Sequence, residues 1–226
     1  MPAKSIRIAL VAAALAAAAA PAPQAARAAS ALDLNNERSL SAADRADVAR
    51  VEQYLNSVKT LRSKFIQTGH DGRQATGTFL LSRPGKMRLT YDPPFKDFIV
   101  ADGLFIFYWD GEMRQQSSAP IGTSLADLIL RRDLKLSGDV AVRGVTRQPG
   151  GLEVTLAEAK DAGKGTITLI FQDKPLALIR WRVVDAAGLT TDVGLIDAQF
   201  GAKIDSDQFV FREPSDARES DGFSRH

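Results

Sequence analysis

Apolar and polar residues alternate along much of this chain. Between Lys86 and Tyr91, three apolar or aromatic side chains alternate with three polar ones, and the same period of two recurs in three later stretches. Because successive side chains of a strand point to opposite faces of its sheet, each stretch predicts a half-buried β-strand. The residues predicted to face inward are Met87, Leu89, Tyr91, Leu152, Val154, Leu156, Ile167, Leu169, Phe171, Ile179, Trp181 and Val183.

Turn-forming dipeptides separate these runs. Examples are Asp71-Gly72, Pro84-Gly85, Asp102-Gly103 and Asp110-Gly111, residues that favour the tight turns between neighbouring strands. The runs amount to about ten or eleven strands, at the spacing expected of an antiparallel sandwich or barrel.

Two stretches change to a helical period. A helix is predicted over residues 33–60, with a start signal at Ser41 and Asp44. A second, shorter helix is predicted over residues 123–134, where Thr123 or Ser124 would cap it. The apolar residues at helical spacing are Val48, Val51, Leu55 and Val58 in the first helix, and Leu125, Leu128 and Ile129 in the second. Together the patterns predict a long, curved antiparallel sheet with two helical segments available to cover one face.

The predicted strand 104–109 is apolar or aromatic on both faces. Leu104, Ile106 and Tyr108 share one face, while the other carries Phe105, Phe107 and Trp109. Two interpretations follow from this pattern. Both faces belong to an ordinary core, or one of them lines a cavity for an apolar ligand, as the interiors of barrels often do.

The N-terminus predicts a cleaved signal peptide over residues 1–29. Lys4 and Arg7 precede a mostly alanine run that is too short to span a membrane, and Ala26-Arg27-Ala28 fits a cleavage site. The leader holds three basic residues and no acids, so its removal takes the formal net charge from +2 to −1. That balance gives no support to nucleic-acid binding. Residues 30–214 are predicted to form one domain without disulfides, since the chain has no cysteine, and the polar residues 215–226 a disordered tail.

Catalytic and metal-binding patterns are nearly absent. His70 lies beside a predicted turn, and Asp205 and Asp207 lack the glycine and glutamate of a calcium loop. Ser117 and Ser118 have no nucleophile elbow around them. We therefore expect no enzyme activity, no cofactor and no metal.

Four segments resemble, in order and spacing, the periplasmic lipoprotein carriers of the LolA family. They are SKFIQ at 63–67, GTFLLSRPGKMRLTYDPP at 77–94, IVADGLFIFYWD at 99–110 and FVFREP at 209–214. The resemblance covers roughly residues 46–214. It implies a mainly β fold with some α, in which an unclosed antiparallel β-barrel of about eleven strands is covered by a helical lid.

The resemblance also implies a function. Family members carry acylated lipoproteins across the periplasm, from an inner-membrane ABC transporter of the LolCDE type to an outer-membrane receptor of the LolB type. It implies a monomer without nucleic-acid partners, with acyl chains held in the apolar cavity. Two alternatives remain open: a carrier of another apolar lipid on the same fold, and an envelope-stress-sensing or protein-binding module.

Individual site residues follow from the same resemblance. Family members use an arginine before the R-P-G proline to contact the lid, which is Arg83 here; the residue alone would also suit a solvated arginine beside a turn. Met87 stands where the family usually has a phenylalanine used in cargo transfer, and a flexible methionine suits a variable apolar load. Thr123-Ser124 replaces the family's T-P before the lid helix. The other residues expected to bind cargo or form the lid are Leu89, Tyr91, Leu104, Ile106, Leu125, Leu128 and Ile129.

Overall fold

The computed structural model describes residues 40–122 and 125–214. The predicted leader, the caps Thr123 and Ser124, and the predicted tail lie outside the described residues. One α-helix, α1 (Ala42–Ser57), precedes a single sheet of eleven strands. The strands are β1 Thr60–Thr68, β2 Gln74–Ser82, β3 Lys86–Tyr91, β4 Phe98–Asp102, β5 Phe105–Asp110, β6 Gln115–Pro120, β7 Val140–Gln148, β8 Gly151–Glu158, β9 Gly165–Gln172, β10 Ala177–Asp185 and β11 Thr190–Phe200.

The sheet consists of two antiparallel meanders joined by their first and last strands. Its order is β6-β5-β4-β3-β2-β1-β11-β10-β9-β8-β7, so every pair except β1–β11 joins neighbours in the chain. β6 and β7 lie at opposite ends of this order, and the sheet does not close on itself. The prediction of a mainly β, unclosed antiparallel barrel with a helical cover is confirmed.

Helix α1 begins at the predicted start signal. Ser41 is its N-cap and forms a capping box, in which Asp44 N donates to Ser41 Oγ (3.1 Å) and Ser41 N donates to Asp44 Oδ2 (2.9 Å). The helix buries Val51 and Leu55 and ends at Ser57, three residues before the predicted end. It ends there because Val58 is already extended and leads directly into β1.

The second predicted helix is shorter than expected and of a different type. Residues Leu125–Leu130 form a 3₁₀ helix, and the chain then continues to residue 136 without helical structure. The backbone beyond residue 130 is held by α1, since Asn56 Nδ2 donates to Leu134 O (2.8 Å) and Leu134 N donates to Asn56 Oδ1 (2.9 Å). These bonds occupy the groups that a continuing helix would need. Residues 125–136 are called the lid segment below.

The predicted alternation is confirmed on most strands and is wrong at Ile179. On β3, β8 and β9 the predicted inward residues are buried or nearly so. On β10 a bulge between Leu178 and Arg180 adds one residue, so that Leu178 is buried and Ile179 is 43% exposed. A bulge shifts every side chain before it to the opposite face. Beyond the bulge, Trp181 faces inward as predicted.

Candidate functional site

The inner face of the sheet is a largely apolar surface beneath α1 and the lid segment. Met87 and Leu89 of β3 are each only 1% exposed, and they belong to the same buried cluster as Tyr91 and Ile106. From the lid segment, Leu128 is fully buried in that cluster, while Leu125 and Ile129 pack against it. Seven of the nine predicted site residues therefore lie on one interior surface or directly above it.

Two small apolar cavities lie under this cover. The first, about 30 Å³, is bounded by the end of α1, β1, β2 and the lid segment, and the second, about 20 Å³, by β2, β3, β9 and β10. Phe79, Ile129, Leu178 and Trp181 contribute to both. Of these four, Ile129 is the one that belongs to the lid segment. Of the predicted residues, the first cavity also contacts Arg83, and the second Met87 and Leu89.

Arg83 fastens the lid segment to α1 at the end of β2. Its Nε donates to Arg131 O (3.0 Å), and its two terminal nitrogens donate to the carbonyls of Leu55 and Arg131. Weaker contacts reach Val58 O at 3.4 Å and Arg132 O at 3.5 Å. The carbonyls at the end of a helix lack partners within it, and the guanidinium fork supplies donors for them. Burial lowers the pKa of Arg83 from its ordinary value, yet an arginine stays charged under all ordinary conditions.

The turn that follows Arg83 makes a further contact with the lid segment. Gly85 N donates to Leu130 O at 2.8 Å. Gly85 has a φ of +78°, and a Cβ on it would lie 2.9 Å from the Cα of Gly103. Only glycine fits this position without displacing backbone. The R-P-G turn is therefore shaped to hold the lid segment through its main chain as well as through Arg83.

Side chains of α1 that the sequence reasoning missed complete these attachments. Besides Asn56, Glu52 accepts a hydrogen bond from Leu136 N (2.9 Å), and the Tyr54 hydroxyl accepts one from Leu178 N (3.1 Å) beside the β10 bulge. Burial raises the pKa of Tyr54. The sequence offers no signal for these contacts, because polar residues on the outward face of a surface helix are ordinary.

Leu104 does not belong to the interior, and its predicted position on the inward face of the strand is wrong. It lies in the bend before β5 and is 73% exposed. Asp102 Oδ1 accepts from the backbone N–H groups of Leu104 (2.8 Å) and Phe105 (2.9 Å), which turns the chain before the strand begins. Such a side-chain-to-backbone turn overrides the alternation that the apolar run suggested.

The two faces of β5 serve different parts of the molecule. Ile106 and Tyr108 face the interior, while Trp109 packs with Phe98 and Val100 in a separate cluster on the outer face. Phe211, near the C-terminal end of the described chain, covers this cluster and stacks on Phe107 at a centroid distance of 5.0 Å. The strand is apolar on both faces because each face is covered by a different segment.

A buried polar pair interrupts the apolar interior. The Tyr91 hydroxyl donates to Gln67 Oε1 (2.8 Å), and Gln67 Nε2 is buried without a hydrogen-bond partner among the described residues. Burial raises the pKa of Tyr91, and it also raises that of nearby Asp97, which accepts from the Tyr108 hydroxyl at 3.2 Å. This pair lies apart from the two cavities, which it does not line.

The described residues form an apolar enclosure. Within residues 40–122 and 125–214, no three side chains of the metal-binding types come together. In the same part of the chain, no helix combines the length and the apolar character that crossing a bilayer requires. The arrangement can hold apolar groups away from water, and its cover is attached both by buried apolar side chains such as Leu128 and by polar contacts.

The chain is similar to several known proteins. The family model described as outer membrane lipoprotein carrier protein LolA matches residues 56–212. An outer-membrane lipoprotein carrier protein of Methylibium petroleiphilum is 27% identical over 185 residues, covering 78% of this chain and 90% of that protein. One of Legionella pneumophila is 28% identical over 174 residues, covering 73% and 84%. The crystal structure of a LolA superfamily protein from Nitrosomonas europaea aligns with a TM-score of 0.41 and 7% identity, covering 73% of this chain and 97% of that one.

Proposed function

This chain belongs to the LolA family of outer membrane lipoprotein carrier proteins, and from that premise we propose that it carries lipoproteins through the periplasm with their acyl chains inside the barrel. It takes cargo released from the inner membrane by a LolCDE-type transporter and delivers it to a LolB-type receptor. The observation that carries the proposal is an apolar interior beneath a cover held by polar contacts.

The free energy of the load makes a carrier necessary. Each methylene exposed to water costs about 0.8 kcal/mol, so ten methylenes amount to about 8 kcal/mol. The inner face that would receive them is formed by large apolar side chains such as Phe79, Met87 and Trp181. No polar recognition of the acyl chain is needed, since the interior need only exclude water.

We take this structure, with its lid segment packed on the barrel, to be the closed form. Cavities of about 30 and 20 Å³ hold roughly one or two water molecules, and a long acyl chain occupies many times that volume. Loading therefore requires Ile129 and Leu128 to withdraw from the barrel together with the lid segment. This opening exposes apolar surface, which the acyl chains then cover.

The attachments of the cover suit reversible opening. Arg83, Asn56 and Glu52 bond to backbone groups that can bond to water when the lid segment moves away. A hydrogen bond that is exchanged for one to water contributes only about 0.5–1.5 kcal/mol, and somewhat more when one partner is charged. Re-forming these bonds favours the empty, closed form and so assists release of the cargo.

Displacement of a fluorescent apolar dye tests the proposal. The purified chain without its leader should bind about one dye per molecule, and an N-terminally acylated peptide should displace it while the same peptide without acyl chains should not. As a control, Leu104→Ala should leave both properties unchanged, because Leu104 lies outside the interior. Displacement by a free phospholipid but not by acylated peptide would favour the lipid-carrier alternative, and absence of dye binding would contradict both.

A further inference from the structure

The two end strands of the open sheet are protected to very different degrees. β7 carries a bulge between Val142 and Gly144. Arg147 on the same strand bonds to Asp47 (2.6 Å) and Asp44 (2.9 Å), so α1 lies against this end of the sheet. Bulges, charges and covering helices are the usual means of preventing an end strand from pairing with another chain.

Among the described residues β6 has no bulge, no charged side chain and no covering helix, and its protection is limited to Pro120 at its end. Its sequence, QQSSAP, contains no charged side chain, and it pairs with β5 through six consecutive residues without a register shift. Gln116 and Ser118 are exposed. This straight, uncharged end strand is open to pairing on its outer side.

The direction of its backbone groups follows from one hydrogen bond. Ile121 N donates to Leu104 O (2.9 Å) just beyond the strand. Because hydrogen-bonded pairs alternate along an antiparallel ladder, Ala119 and Ser117 also bond to β5, while the N–H and C=O groups of Gln116 and Ser118 point away. In the described part of the chain, neither outward N–H has a hydrogen-bond partner. Pro120 occupies the next outward position, where a missing N–H costs the sheet nothing.

We infer that the outer side of β6 binds an extended, uncharged segment of the cargo polypeptide as an added strand. The inference rests on the proposed function. A lipoprotein's polypeptide is covalently joined to its acyl chains, so when they occupy the barrel the first residues of the polypeptide must leave through an opening. β6 and β7 are the two end strands of the sheet and are not paired with each other, so we place the exit of the polypeptide on this side, beside the less protected strand β6.

Tethering makes a weak strand addition sufficient. The outward groups of Gln116 and Ser118 offer up to four main-chain hydrogen bonds, which alone would not hold a free peptide. A segment already anchored by its acyl chains is present at high effective concentration, so the same bonds add to the affinity of the whole cargo. Main-chain recognition also accepts many sequences, and the absence of charge on β6 favours uncharged segments.

Two triacylated probes separate this inference from the proposed function. One is triacylated cysteine amide, and the other is triacylated cysteine followed by eight uncharged residues. Their affinities are measured by dye displacement with the parent chain, with Ser118→Pro, which removes one outward N–H, and with Ser118→Ala as the matched control. We expect the longer probe to bind about tenfold more tightly to the parent and to Ser118→Ala, and this advantage to disappear in Ser118→Pro.

A backbone-methylated version of the longer probe makes the test independent of how Ser118→Pro folds. Methylation of alternate backbone nitrogens on its pairing edge should abolish the tenfold advantage with the parent chain. Equal binding of the two unmethylated probes to the parent would overturn strand addition alone, whereas failure of both to bind would overturn the proposed function with it. Light scattering that shows the parent chain as a dimer and Ser118→Pro as a monomer would indicate that a second copy of the chain occupies β6. That result would also overturn the inference.

Discussion

Replacing Arg83 with leucine should make the carrier hold its cargo too tightly. The substitution removes the bonds to the carbonyls of Leu55 and Arg131, which join β2 to α1 and to the lid segment. Hydrogen bonds to charged groups contribute about 1.5–3 kcal/mol each. Because Arg83 is partly exposed and its bonds are not additive, we take about 3 kcal/mol for the set, which shifts the closed-to-open ratio by roughly a hundredfold.

The assay follows from the direction of that shift. If cargo binds only the open form, the apparent affinity is reduced in proportion to the small fraction of molecules that are open. Arg83→Leu raises that fraction, so this variant should bind an acylated peptide up to about a hundredfold more tightly than the parent. Release should slow, so transfer of pre-bound lipoprotein to an outer-membrane receptor should fail. Arg83→Lys keeps the positive charge but not the guanidinium fork, so its affinity for the acylated peptide should lie between those of the parent and of Arg83→Leu. Arg132→Leu is the matched control, since only its carbonyl contacts Arg83.

Normal affinity and normal transfer by Arg83→Leu would refute this reasoning. Arg83 would then be a partly buried arginine whose bonds are replaced by water without consequence for the cargo. Retention of the parent's circular dichroism spectrum is required for the comparison, and the eleven-stranded sheet does not depend on Arg83 for its ladder.

Three further predictions concern the cover. Leu128→Asp should lower the free energy of unfolding by about 2–4 kcal/mol in urea titration, because a charge enters a fully buried site. The same change at exposed Leu104 should lower it by less than about 0.5 kcal/mol. Equal effects of the two substitutions would place Leu128 outside the barrel. Asn56→Ala should accelerate amide exchange in the lid segment roughly tenfold, since two hydrogen bonds to it are lost, and unchanged exchange would contradict that attachment. Hydrogen bonds from Ser41 hold the pKa of Asp44 below its usual 3.8. The stabilisation of α1 by the Asp44 carboxylate is therefore present above about pH 4 and is lost as the pH falls through the lowered pKa. Asp44→Asn should remove this part of the acid dependence of amide exchange at the start of α1, and an unaltered pH profile would show that Asp44 does not contribute.

Most of the sheet could be predicted because its strands are covered on one face only. A strand with one buried face shows the alternation directly, as Met87, Leu89 and Tyr91 do. The error at Ile179 came from a bulge, which shifts the alternation without changing the composition that announces a strand. The error at Leu104 came from a hydrogen-bonded turn formed by a neighbouring aspartate. Both are local backbone events, to which the apolar pattern is insensitive.

The candidate site was less predictable than the sheet. Arg83 was found through the resemblance, but its acceptors could not be, since they are backbone carbonyls that any sequence would supply. The attachments through Asn56 and Glu52 join residues about eighty positions apart in the chain. Their pairing depends on how the lid segment crosses α1, and no spacing in the sequence encodes that crossing. The same holds for Phe211, whose cover of the outer face of β5 depends on the return of the chain's end.

The pairing of β1 with β11 has a consequence for the order in which the protein can fold. Every other strand pairs with a neighbour in the chain, but Leu61 lies opposite Phe200, so this ladder closes a loop of nearly the whole domain. A chain emerges from the ribosome or an export channel N-terminus first. The first six strands can form their hairpins as they appear, yet β1 keeps a bare edge until β11 arrives. Completion of the barrel is therefore limited by the last strand made, and the half-formed barrel is the species that is most exposed to aggregation and in need of protection.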